Sequence, residues 1–194
     1  VETYLDAAEM VAVEALSAGL ASVAPCAAAL PASPTDAQIG ECRDLWIESF
    51  GRRAFRRPLQ ADETAVFATT FEAARAEGAD VAGAIDWTLQ AFLISPQFLY
   101  RIQELTPGEV VDAALPLSAY ELASRLSYFL WASTPDAELL AAADSGALLT
   151  HDGLAAEAAR LLDDPKAADA IDEFHRQWLH LDTLDHEGRD LPAG

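Results

Sequence analysis

Positive charge is scarce in this chain, and the scarcity bounds what the protein can bind. Eleven Arg and a single Lys stand against 32 acidic residues, a formal net charge of −20. A nucleic-acid surface needs cations to meet phosphates, so no DNA or RNA partner is expected. Long apolar runs are missing too. None approaches the ~20 residues of a membrane-crossing helix, so no transmembrane segment is expected. The sole methionine is Met10, which argues against a methionine haem ligand. With two cysteines and no C-x-x-C or C-x-x-C-H, the chain encodes neither a zinc knuckle nor a covalent c-type haem site. It also lacks G-x-S-x-G, P-loop, H-E-x-x-H and G-x-G-x-x-G patterns, and Ser95 and Ser127 have no neighbouring His-Asp pattern.

What is present points to helices. Hydrophobic residues make up 52% of the chain, enough for a sizeable core. Alanine is abundant, β-branched runs are rare, and glycine and proline sit mostly at boundaries. Apolar spacing and capping signals predict helices over about 2–20, from Thr35 to before Pro58, and over 61–77, 81–94, 118–131, 151–163 and 165–182. Thr35 with Gln38, and Ser118 with Glu121, have capping-box spacing. Ser95-Pro96 and Thr134-Pro135 read as starts of short helices, and the small, Pro-containing stretch 21–34 as a loop. The expected fold is all-α, an irregular bundle of about seven to nine helices without significant sheet. A polar linker at 105–117 separates an N-terminal subdomain, 1–104, from a C-terminal one, 118–194. The Trp and Phe residues at helical spacing are expected in the core. The chain opens on Val1 and closes on Leu191-Pro192-Ala193-Gly194, and is expected to be the middle part of a longer polypeptide.

Three groups of residues are candidates for a site. Cys26 and Cys42 flank the Pro-containing stretch. A disulfide there would stabilise by about 3 kcal/mol and fit a compartment outside the cytoplasm, the alternative being two unpaired thiols. Arg52, Arg53, Arg56 and Arg57 gather a third of the basic residues at one helix end. At that spacing a helix would place them on one basic face, able to hold an anion or to grip acids such as Glu48, Asp62 or Glu63. Glu121 and Arg125, four apart, have the orientation of a helical ion pair, expected to be half-buried. His175, His180 and His186 are weak candidates for a metal, because His175 and His180 are five apart and diverge on a helix.

Four ordered blocks carry a family resemblance. They are Phe50-Gly51-Arg52-Arg53-Ala54-Phe55-Arg56-Arg57-Pro58-Leu59 with Asp62-Glu63; the stretch from Leu89 to Arg101; the stretch from Tyr120 to Trp131 with Pro135-Asp136; and Phe174-His175-Arg176-Gln177-Trp178-Leu179. Together they resemble a secreted family built from domains of unknown function, found in planctomycetes and myxobacteria and often fused to c-type cytochrome modules. The resemblance implies an extracytoplasmic helical segment with further domains on both sides, near cytochrome electron transfer, and supplies no catalytic residues. The function expected is an extracytoplasmic helical scaffold or interaction module, possible partners being other domains of the same polypeptide and a c-type cytochrome or other redox protein. The alternative is part of an oxidoreductase whose active site flanking domains complete. No cofactor is encoded in this segment; haem or a metal would belong to those flanking domains.

Overall fold

The computed structural model describes residues 2–102 and 116–181, and every regular element among them is a helix. Among the described residues eight α-helices have seven residues or more, and three α-helices and one 3₁₀ element are single turns. The chain divides into two compact units, Val1–Leu105 and Thr106–Gly194. The expected linker, 105–117, lies outside the described residues except for its last two positions.

The first unit contains α1 (Glu2–Ser17), α2 (Leu20–Val23), α3 (Pro25–Ala28), α4 (Asp36–Phe55), α5 (Ala61–Ala76), α6 (Val81–Ile94) and α7 (Pro96–Leu99). The expected loop at 21–34 therefore holds two helical turns. Pro25 opens α3 at a position where its missing N–H has no intrahelical partner to lose. Thr35 caps α4 in a full capping box: Gln38 N–H donates to Thr35 Oγ1 at 3.3 Å, and Thr35 N–H donates to Gln38 Oε1 at 2.9 Å. An aromatic cluster fills the core. Phe67 and Phe92 stack at 3.6 Å between centroids, and Phe55, Phe50 and Trp46 meet Phe92 edge-on at 5.7, 5.2 and 6.1 Å. Each fully buried ring contributes about 1.5–3 kcal/mol through the apolar surface it removes from water.

Two links hold the N-terminal turns against this core. Trp46 Nε1–H donates to the Val23 carbonyl at 3.0 Å, tying α4 to α2. Cys26 of α3 and Cys42 of α4 form a disulfide with their Cα atoms 5.5 Å apart.

The second unit contains α8 (Ala119–Trp131), α9 (Ala137–Asp144), a 3₁₀ turn (Ala147–Leu149), α10 (His151–Asp163) and α11 (Pro165–Trp178). Trp131, Leu139, Leu148, Leu161 and Ala167 form its core. Trp131 Nε1–H donates to the Leu161 carbonyl at 2.8 Å. The helix expected from Thr134-Pro135 starts only at Ala137, because the Asp136 side chain takes the cap and accepts from Leu139 N–H at 2.8 Å. The last helix stops at Trp178 rather than near 182. His180 adopts a left-handed backbone (φ 51°), and Leu181 N–H returns to the Arg176 carbonyl at 3.0 Å, closing the helix end. Aromatic burial also differs from expectation. Trp46 and Trp131 are core residues, whereas Trp87 is 49% and Trp178 65% exposed.

The disulfide closes a loop of 16 residues, so replacing both cysteines by alanine is expected to lower the stability of the first unit by about 3 kcal/mol. Denaturant unfolding of the whole chain, with and without the pair, should show one transition shifting and the other unmoved. Equal stability of the two proteins would contradict the stapling role.

Candidate functional site

The helix end at 50–59 is where sequence, charge and burial converge. Phe50 stacks on Trp46 at 5.5 Å. Gly51 is buried beneath Leu59, whose side chain lies where a Cβ at 51 would stand. Pro58 disfavours helical backbone at Arg57, and Arg56 ends α4 in the left-handed region at φ 61°. That cap reverses the chain, so Leu59 folds back over Gly51.

This cap also separates the four arginines, so the expected single basic face does not form. Arg52 is half-buried, Arg53 is exposed with its guanidinium 5.8 Å from the Phe50 ring centroid, and Arg56 is buried at 5% exposure. Arg56 reaches four main-chain carbonyls. Nη2 donates to Gln97 at 2.6 Å and Tyr100 at 2.9 Å, and Nη1 donates to Phe98 and Ala54 at 3.3 Å each. Three of these acceptors belong to the end of α7, where carbonyls lack intrahelical partners. A planar fork with five N–H groups suits this task; a lysine has only three, on one nitrogen. Arg57 turns the other way and holds Glu63 with both terminal nitrogens, each at 2.8 Å. Glu63 also accepts from Gln60 N–H at 2.8 Å, so one carboxylate caps α5 and anchors Arg57.

In the second unit Ser118 and Glu121 form the capping box of α8, with Ser118 N–H donating to Glu121 Oε2 at 2.7 Å. Arg125 is exposed, and among the described residues no ion pair joins it to Glu121, because that carboxylate turns back to the helix start. Among the described residues of this unit a charge cluster centres on Arg160. It grips Asp136 through both terminal nitrogens, at 2.9 and 3.1 Å, and its Nε–H donates to Glu157 at 2.8 Å. The Trp131 ring lies 5.8 Å from the Arg160 guanidinium and 4.4 Å from Lys166 Nζ, a cation on an aromatic face. Sequence reasoning missed this cluster. The single lysine one residue after Pro165 was its visible sign; the Asp136–Arg160 pairing spans 24 positions and has no local signature.

His175 lies on α11, where its Nδ1–H donates to the Ile171 carbonyl at 2.7 Å. His180 sits in the left-handed turn after the helix, and His186 lies outside the described residues. Among the described residues no group of three His, Cys, Asp or Glu is placed to hold a metal ion.

Comparison with known families now bears on the two units. Residues 42–103 match the family described as PSD5, protein of unknown function (DUF1595), and residues 117–192 match PSD4, protein of unknown function (DUF1592). The chain carries two domains of unknown function. No curated protein and no solved structure matches it. The Arg56 and Arg57 clamps thus fall in the DUF1595 segment, and the Arg160 cluster in the DUF1592 segment.

The two segments share one electrostatic device, a carboxylate that caps a helix while an arginine grips it. In the DUF1595 segment the Arg57 hydrogen bonds, with help from Gln60 N–H and against the effect of burial, hold the Glu63 carboxyl below its ordinary 4.5. In the DUF1592 segment burial pushes Asp136 up, but Arg160 and Leu139 N–H outweigh it and hold the carboxyl below its ordinary 3.8. The hydrogen bonds to Asp136 and then to Glu157 raise Arg160 further above its ordinary range, against the effect of burial.

A carboxyl with a lowered folded-state pKa stabilises fully above its unfolded value and loses that contribution as pH falls through the folded one. Stability is therefore expected to be level at neutral pH and to fall below about 4.5 for Glu63 and about 3.8 for Asp136. Glu63→Gln should remove about 1.5 kcal/mol at pH 7 and flatten the acid dependence of the first unit. Denaturant unfolding at pH 7, 4.5 and 3 checks this; an acid slope identical in variant and parent would contradict it.

Proposed function

We propose that the protein is an extracytoplasmic helical scaffold or interaction module of a larger assembly, working beside cytochrome-based redox systems. The observation that carries the scaffold reading is the use made of the arginines. Arg56 is spent on four carbonyls, and Arg57 and Arg160 on carboxylates that cap helices. These cations fix helix ends and reversals, as rigid presentation of an outer surface requires. The Cys26–Cys42 disulfide and the lack, among the described residues, of a helix long and apolar enough to cross a membrane are compatible with an extracytoplasmic location. The cytochrome connection rests on the resemblance of the four sequence blocks and on charge. A surface carrying a formal net charge of −20 favours a basic partner and would draw it in by long-range attraction.

The test is a calorimetric titration of the purified chain with a basic c-type cytochrome, alongside the absorbance spectrum and metal content of the chain alone. Binding that weakens as salt rises from about 20 to 150 mM supports the reading, because screening shortens the reach of the attraction to about 8 Å. Absence of binding at low salt contradicts the cytochrome partnership, and a haem or metal carried by the chain itself contradicts the scaffold role.

A further inference from the structure

The three helices before Thr35 are joined to the rest of the first unit by one covalent bond and few polar contacts. α1 packs on α6, and α3 on α4. The buried side chains of this arm, among the described residues, are Ala8, Ala12, Val23, Ala24 and Ala27. They remove little apolar surface, whereas the large core rings belong to α4, α5 and α6. Charge offers no grip. Residues 1–34 hold four acids, Glu2, Asp6, Glu9 and Glu14, and no Lys or Arg, and residues 35–105 also carry more acids than bases. Among the described residues no ion pair joins the arm to the core, and one N–H, that of Trp46, reaches across to it. α2 and α3 are single turns, and neither Gly19 nor Ala24, at their starts, supplies a side-chain cap. Turns this short do not persist alone, so they last only while docked. Residues 29–35 link α3 to α4 without a regular element. The DUF1595 match begins at Cys42, so the arm precedes it, and the disulfide ties the arm to the first matched residue.

We propose that the Cys26–Cys42 bond is a redox-operated latch, and that a dithiol reductant releases α1, α2 and α3 from a core of α4–α7 that stays folded. Cys26 is half-buried and Cys42 is 5% exposed, so the attack falls on the Cys26 sulfur. One thiolate of the reductant bonds to that sulfur, the S–S bond breaks, and Cys42 leaves as a thiolate. The second thiolate of the reductant attacks the reductant's own sulfur in the mixed disulfide and releases Cys26. The two protein sulfurs gain two electrons, the dithiol becomes a disulfide, and its two protons pass to the cysteines. Release has three consequences. The Val23 carbonyl leaves the Trp46 indole, the single turns unravel and gain backbone entropy, and the side of α6 under α1 meets solvent. Like charges on arm and core favour the separation. While the bond is intact it closes a loop of 16 residues, so an arm that lifts off stays near its seat and returns. The latch is a property of the first unit and does not rest on the cytochrome partnership.

Hydrogen exchange of the whole chain at pH 7, read by mass spectrometry with and without excess dithiothreitol, tests this. Alkylation under denaturing conditions counts the thiols in each sample. In the oxidised protein, peptides of α2 and α3 should be protected. Reduction should speed their exchange roughly a hundredfold, the factor that closing a loop of this length supplies. Peptides of α5 that hold Phe67 and Phe71 should stay slower than those of α2 and α3 by about tenfold or more in the same reduced sample, because the core opens separately. Cys26→Ser with Cys42→Ser should show the reduced pattern without dithiol and no further change with it. Three results overturn the latch: a bond that resists the dithiol while the protein is folded, exchange in α2 and α3 that reduction does not alter, or one common exchange rate for α2, α3 and α5 in the reduced protein. Reduction of the parent decides the matter even where the serine pair fails to fold.

Discussion

A guanidinium buried where two helix ends meet fixes the geometry of the first unit. Arg56 ends α4, and its side chain takes up carbonyls at the end of α7, forty-one to forty-four positions along the chain. A buried charge without partners would cost several kcal/mol, and a left-handed backbone at a residue with a Cβ adds about 1–2 kcal/mol. Both costs are met at one position because the reversal aims the side chain inward. The reversal also lets Leu59 pack over Gly51 and directs Arg57 toward Glu63. The backbone conformation, the buried cation and the capped start of α5 therefore depend on one another.

The second unit reaches a similar result with a carboxylate in the central position. Asp136 caps α9 and anchors Arg160 of α10, while Trp131 gives the cations an aromatic face and donates its own N–H to Leu161. With 32 acids against 12 bases, cations are the limiting resource, and these are placed at helix ends and crossings. Such placement gives each unit a defined helix arrangement from short elements. It leaves the aromatic end of α11, Phe174 and Trp178, exposed.

Local features of this fold were legible in the sequence. The capping boxes at Thr35 and Ser118 span three residues, and their geometry follows from chain-local chemistry. The Cys26–Cys42 pairing followed from a loop of suitable length, and Glu63 lies within local reach of Arg57 across the Pro58 turn. Features that join distant positions were not legible. The acceptors of Arg56 are main-chain carbonyls at 97, 98 and 100, which carry no side-chain signature. A helical pattern also treats 56 and 57 as a continuation of 52 and 53; only the left-handed cap separates them. Periodicity likewise places Trp46 and Trp178 on apolar stripes alike, but whether a stripe meets a core depends on where its helix runs.

Nitrogen-detected magnetic resonance of the labelled whole chain reads the state of the Arg56 side chain directly. A guanidinium held by four carbonyls should show two resolved terminal nitrogens with slowly exchanging protons, and through-hydrogen-bond couplings to the carbonyl carbons of Gln97 and Tyr100. A single averaged signal whose protons exchange as fast as those of a surface arginine would contradict the clamp, and with it the account of how the first unit is held.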